Sequence, residues 1–170
     1  AFNRVIERHP MLRAVVSEEG KQSFLQEIPH YETIEEDLTN LDADRQQERI
    51  LAERDRMSHY MFDTTQWPLF ELKAFRLDQE TRYLFIGFDL IIGDAASLER
   101  IAGELVEFFR HPEKEIADIE FSFRDYILAM EELRRSDVYK IDKEYWLGKI
   151  EDFPAAPSLP LRCQPSEVKK

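Results

Sequence analysis

A chain of 170 residues with 43% hydrophobic and 12% aromatic content is long enough to bury a core, so its composition is that of a folded protein. A formal charge of −12 and a pI near 4.8 argue against nucleic acid or an anionic membrane as partner, because both repel an acidic chain at long range. No apolar run approaches the ~20 residues of a bilayer span and no signal-peptide pattern opens the chain; the single cysteine, Cys163, allows no internal disulfide and has no clustered metal ligands, which fits a reducing, cytoplasmic setting.

In chain order, Phe2, Val5 and Ile6 stand at helical spacing with no capping residue before them, so the chain reads as beginning inside a helix and as truncated at its start. Pro10 stops that helix, because proline cannot continue the hydrogen-bond ladder and holds His9 toward extended geometry, which gives His9 a structural role. Residues 13–17 and 22–26 read as a hairpin around Glu18-Glu19-Gly20-Lys21, with Gly20 supplying a positive φ. A further short strand is predicted over 31–37. Residues 42–60 carry dense charge and a narrow apolar stripe, the pattern of an outer helix with a solvated charged face. Trp67 reads as an anchor under the strand that follows. Residues 69–77 and 81–92 form a second hairpin, in which the apolar alternation shifts near Ala74 and predicts a bulge there.

From Tyr83 to Ile92 nearly every residue is apolar, which predicts an interior strand, and a carboxylate in such a strand needs a partner. Strand parity places Tyr83, Phe85, Gly87 and Asp89 on one face and Leu84, Ile86, Phe88 and Leu90 on the other, so Asp89 and Leu90 cannot both face one cavity. After Gly93, Leu98, Ile101, Ala102, Leu105 and Phe109 fall at helical spacing, which predicts a helix starting within two residues of Asp94. An Asp94 oxygen accepting from the backbone of Ala96 or Ser97 would contribute about 1 kcal/mol as a cap and explains that residue without chemistry. Asp89 is harder to explain by capping, and strand ends beside helix starts are common places for sites in α/β folds. His111 before Pro112 reads as the stop of this helix, and two more helical patterns follow, through Phe123, Tyr126, Ile127, Met130 and Leu133 and through Val138, Ile141, Tyr145 and Ile150. Residues 154–170 hold four prolines and are predicted extended or disordered.

The run Asp89-Leu90-Ile91-Ile92-Gly93-Asp94-Ala95-Ala96-Ser97 resembles the D-x-x-x-x-D-x-x-S signature of heterocyclization domains, a variant of the condensation domains of nonribosomal peptide synthetases. Ordinary condensation domains carry H-H-x-x-x-D-G at this place; here Asp89 and Leu90 stand where the two histidines would, Asp94 keeps the aspartate and Ala95 replaces the glycine. Arg8-His9-Pro10-Met11-Leu12-Arg13, Trp67-Pro68-Leu69-Phe70, Phe121 to Tyr126, and Tyr145-Trp146-Leu147 leading to Pro154 to Leu161 match the same family in the same order. Two aspartates at this spacing are weak evidence alone, whereas five ordered matches covering nearly the whole chain are specific.

The resemblance implies an α/β fold, a two-layer mixed sheet with helices, as in the amino-terminal lobe of the chloramphenicol-acetyltransferase-like fold. It divides the chain into such a lobe over 1–153 and a Pro-rich connection over 154–170 toward a second lobe. It further implies an enzyme of natural-product biosynthesis, siderophores included, that joins a carrier-bound acyl or peptidyl donor to a carrier-bound cysteine, serine or threonine. Closing the side chain onto the new amide with loss of water then yields a thiazoline or oxazoline. Donor and acceptor peptidyl carrier proteins are the implied partners with neighbouring synthetase domains, phosphopantetheine arrives on their arms, and no cofactor or metal is bound directly. Groups that assist dehydration lie in the second lobe in this family, so the lobe alone is expected to be inactive. Asp89 and Asp94 are the motif residues, with scaffold roles favoured over acid/base chemistry: Asp94 capping the helix and pairing with an arginine such as Arg13, Asp89 bracing backbone, Ser97 and Arg13 in support. Leu90 is then packing. Two rivals stand beside this reading: a degenerate condensation-like module that only docks carriers or neighbouring domains, and a carboxylate-bound Mg²⁺ site, for which the pattern supplies no further ligands.

Overall fold

In the computed structural model, which describes residues 1–155, 160 and 163, proline and glycine set the first boundaries. Helix α1 (Phe2–Arg8) buries Phe2, Val5 and Ile6 and ends where Pro10 opens a single 3-10 turn, Pro10–Arg13. Strands β1 (Ala14–Val16) and β2 (Gln22–Phe24) form the predicted antiparallel hairpin. Gly20 takes φ +74°, a conformation that costs residues with a Cβ, and its N–H donates to the Ser17 carbonyl at 2.8 Å to close the turn.

Strand β3 (Ile34–Asp37) runs parallel to β4 (Phe70–Arg76), and parallel neighbours need a crossover, which α2 (Ala43–His59) supplies. Asp42 caps α2 by accepting from the Arg45 N–H at 2.9 Å. Strand β5 (Arg82–Phe88) pairs antiparallel with β4 in unbroken register, from Phe70 opposite Phe88 to Arg76 opposite Arg82. The bulge expected near Ala74 is absent. The alternation shifts because β4 is covered on both faces by different elements: Phe70 and Leu72 enter the core shared with α1 and α3 (Ala95–Arg110), whereas Phe75 enters a second core with Leu38 and Ile50 of the α2 side.

Among the described residues the sheet order is β3-β4-β5, so β5 is an edge strand and not the predicted interior one. Its apolar run has two origins. Ile86 and Phe88 pack toward the α1 and α3 core and Phe85 toward the α2 core, while Tyr83 and Leu84 are exposed. Phe2, Tyr31, Trp67 and Phe70 form an aromatic cluster with centroid separations from 5.1 to 6.3 Å. Trp67 is the anchor expected of it, its indole N–H donating to the Leu12 carbonyl at 2.9 Å.

The chain forms two units, Ala1–Ser122 and Phe123–Lys170. In the second, α4 (Phe123–Arg135) and α5 (Asp137–Lys149) meet at Ser136, whose hydroxyl accepts from the Tyr139 N–H and donates to the Leu133 carbonyl. The predicted extended tail, 154–170, falls almost wholly outside the described residues.

Candidate functional site

The two aspartates lie in the link from β5 to α3. Strand β5 stops at Phe88, earlier than the apolar run predicts, and the chain turns over residues 89–92. The Asp89 N–H still donates to the Leu69 carbonyl at 3.0 Å, and then the Ile92 N–H donates to the Asp89 carbonyl at 3.1 Å. The Asp89 carboxylate accepts from the Ile91 N–H at 2.9 Å, so its partner is the backbone of its own turn. Ile92, 2% exposed, pins that turn into the core, while Leu90 is 74% exposed. The expectation that Leu90 packs in an apolar site is therefore corrected.

Gly93 is where the turn closes on the helix. A Cβ there would stand 2.9 Å from the Phe88 ring and 3.0 Å from the Ser97 Cβ, a packing only glycine permits without rearrangement. Helix α3 begins at Ala95 with Asp94 as N-cap, as predicted. One Asp94 oxygen accepts from both the Ser97 N–H, at 2.8 Å, and the Ser97 hydroxyl, at 2.7 Å. These bonds hold the Asp94 carboxyl below its ordinary pKa, so it stays ionised and is a weaker base than a free aspartate. That suits a cap.

Arg13 does not meet Asp94. Its guanidinium reaches the Leu25 carbonyl at 3.4 Å, and its buried Nε has no hydrogen-bond partner among the described residues. His9 also turns away from the aspartates: its Nε2 lies 2.6 Å from Glu104 of α3, which Arg8 reaches at 3.1 Å. Arg8 continues to the carbonyls of Ile116 and Ala117, so this end of α1 clasps α3 and the segment after it.

On the α2 side of the turn lies a cavity of about 290 Å³. Met57, Tyr60 and Phe62 wall it on one side, and Glu71, Gly87, Asp89 and Leu90 on the other. Because β5 ends at Phe88, parity no longer separates Asp89 from Leu90, and both line this space.

The charges of α2 are not simply a solvated face. Glu53 is 4% exposed and is held by Arg56, at 2.6 Å, and Arg49, at 2.9 Å. Arg56 reaches on to Glu71 at the cavity wall at 2.6 Å, and Arg49 to Glu36, which also takes Lys73 at 3.0 Å. Burial alone would raise the Glu53 carboxyl, but the Arg56 and Arg49 hydrogen bonds outweigh it and hold the group below its ordinary value. This network is missed from sequence, because Arg49, Glu53 and Arg56 at i, i+4 and i+7 read as one charged helix face until β4 sets Glu71 and Lys73 beside them. Among the described residues no cluster of three His, Cys, Asp or Glu side chains could hold a metal, and no helix is long and apolar enough to cross a membrane.

A family model described as "Condensation domain" matches residues 1–170. The chain is 38% identical to bacitracin synthase 1 of Bacillus licheniformis over 169 residues, 99% of this chain and 3% of that protein. It is 31% identical to the pyochelin synthetase PchF of Pseudomonas aeruginosa over 165 residues, 97% of this chain and 9% of that one. The cyclization-docking bidomain of the EpoB nonribosomal peptide synthetase from Sorangium cellulosum superposes with a TM-score of 0.86 at 33% identity, covering 98% of this chain and 33% of that one. The chain thus spans a small part of the curated relatives it matches, and its mixed sheet with helices is the chloramphenicol-acetyltransferase-like fold of condensation domains. It belongs to the condensation-domain family.

Proposed function

From its place in that family, we propose that this chain is the amino-terminal lobe of a nonribosomal peptide synthetase heterocyclization domain, with the lobe over 1–153 and a connection to a second lobe over 154–170. The observation that carries the reading is the β5–α3 turn, where Asp89 and Leu90 stand in place of the paired histidines and both aspartates are taken up by local backbone. The likeness to a cyclization bidomain and to pyochelin synthetase supports it. Donor and acceptor carrier proteins present acyl and cysteinyl, seryl or threonyl thioesters on phosphopantetheine arms. The amine attacks the thioester carbonyl, the carrier thiol leaves, and the side-chain nucleophile then closes on the new amide with loss of one water.

In this reading Asp94 and Asp89 are positioning residues. With Asp94 ionised and hydrogen-bonded to Ser97, the motif shapes the turn and leaves the amine-thioester reaction to orientation. Well-oriented intramolecular reactions gain on the order of 7–11 kcal/mol, enough for an activated thioester without a histidine base. Residues that assist dehydration are then supplied by the second lobe, and this lobe alone is inactive. Mass spectrometry of the parent synthetase, loaded with donor and cysteine, serine or threonine, tests the proposal. A product lighter than the linear amide by one water is expected; linear amide alone would refute ring closure, and no condensation at all would favour the docking-only module.

A further inference from the structure

Among the described residues, β3 and β5 are the two edges of one sheet, and they are built differently. In β3, Glu35, Glu36 and Asp37 supply the charge that keeps an edge from pairing with another chain. Strand β5 has no lysine, no proline and no bulge over Arg82–Phe88, and Tyr83 and Leu84 are exposed along it. Such an edge is a template for a further strand.

The pairing with β4 fixes which backbone groups are on offer. The Asp89 N–H donates to the Leu69 carbonyl and the Leu77 N–H to the Thr81 carbonyl, so the odd-numbered residues of β5 turn their backbone groups toward β4. Those of Arg82, Leu84, Ile86 and Phe88 then face the open side, where no hydrogen bond from a described residue reaches them. An antiparallel neighbour must oppose these residues with outward-facing ones of its own. A second β5 does so about a two-fold axis at Phe85: Arg82 meets Phe88, Leu84 meets Ile86, and each such pair exchanges two hydrogen bonds.

The side chains agree with that register. Phe85 lies against its own copy, and Tyr83 comes opposite Gly87 at the mouth of the cavity lined by Met57 and Asp89, with Asp89 at the diagonal position that an aromatic side chain reaches. Each chain carries a charge of −12, but β5 starts at Arg82 and Asp89 stands just past its end, so antiparallel copies set a basic end beside an acidic one. We infer that the open edge of β5 docks a second copy of this chain, strand to strand and antiparallel, in the register that places Phe85 on the two-fold axis.

Sedimentation and amide hydrogen exchange, read residue by residue by NMR over a dilution series of the 170-residue chain, test this. The mass is expected to rise with concentration to twice 20.2 kDa. Exchange at Leu84 and Ile86 should slow by roughly tenfold or more as the dimer forms, whereas Tyr83 and Phe85, bonded to β4, should be protected throughout. Leu84→Pro deletes an outward N–H and leaves the β4 bonds intact, so it should stay monomeric with Phe85 still protected. If Leu84→Pro does not fold, Leu84→Lys, at a position 44% exposed, should fold and weaken association by roughly tenfold or more. A monomer at every concentration, a dimer in which Leu84 and Ile86 exchange as fast as in the monomer, or a dimer undiminished in the Leu84 variants would overturn the inference. So would a monomer in which Leu84 and Ile86 are already protected, because another part of the polypeptide would then cover the edge.

Discussion

Glu53→Gln tests whether the buried charge of α2 ties the helix to the sheet. Glutamine keeps the size and one acceptor oxygen, but places an amide N–H₂ where a carboxylate oxygen faces an arginine. One charge-assisted hydrogen bond is lost, roughly 1.5–3 kcal/mol where the group is buried. Arg49 and Arg56 keep Glu36 and Glu71 as second partners and are themselves 32% and 42% exposed, so the charge left behind is shared and hydrated. The net cost is then about 2 kcal/mol, below the roughly 3–5 kcal/mol of a fully buried broken pair. At roughly 2–4 °C per kcal/mol for a chain of this size, the midpoint of thermal unfolding should fall by about 4–8 °C at pH 7. Glu48→Gln, exposed on the same helix, should change it little. The sign of the pH dependence follows from the lowered Glu53 pKa: the unfolded chain binds the proton first, so this stabilisation is present above the ordinary value near 4.3 and is lost as pH falls through the lower folded value. The gap between wild type and variant should therefore close in acid. Equal midpoints for wild type, Glu53→Gln and Glu48→Gln at pH 7, or a gap unchanged between pH 7 and pH 3, would refute the network's role.

Asp94→Asn keeps the cap oxygen and breaks no ion pair, so it should cost less than ~0.5 kcal/mol, whereas Asp94→Ala should cost about 1 kcal/mol by urea denaturation; equal losses would restore the paired-carboxylate idea. Leu90→His introduces its ring at a position 74% exposed, so stability should hold within about 0.5 kcal/mol, and the full-length parent should gain no amide-forming rate, because orientation and not an imidazole carries that step. A clear gain in rate would identify a damaged ordinary condensation domain. Trp67→Phe leaves the Leu12 carbonyl without its donor and should cost about 1–3 kcal/mol, read from the same urea curves, and a cost near zero would mean that water replaces the indole N–H.

What could be read from the sequence was local. Pro10, Gly20, the Phe2-Val5-Ile6 spacing and the Asp94-to-Ser97 step act within one turn of chain, and each element they predict is present. What could not be read depends on which element lies across from which. The shift in β4 looked like a bulge because one chain cannot show that Phe70 and Phe75 enter different cores. Likewise, Arg49 to Glu36 and Arg56 to Glu71 span 13 and 15 residues, and nothing along α2 distinguishes such charges from solvated ones until the sheet is placed beside it.

The candidate site is the part most sensitive to such errors, because its chemistry turns on a boundary. If β5 continued to Ile92, Asp89 and Leu90 would point to opposite faces, and the carboxylate would be a buried charge in need of a cation. Ending the strand at Phe88 changes both conclusions: the turn satisfies Asp89 with the Ile91 N–H, Ile92 takes over as the core anchor, and Asp89 and Leu90 come to share one cavity. An apolar residue is equally at home in a strand and in a turn pinned to a core, so hydrophobic pattern alone does not locate that boundary. The residue that does mark a change is Gly93, since its contacts with Phe88 and Ser97 require the chain to fold back just after the strand. A glycine four residues past a carboxylate in an apolar run and one before a capping aspartate is thus better evidence for a turn carrying both groups than for a strand running straight into a helix.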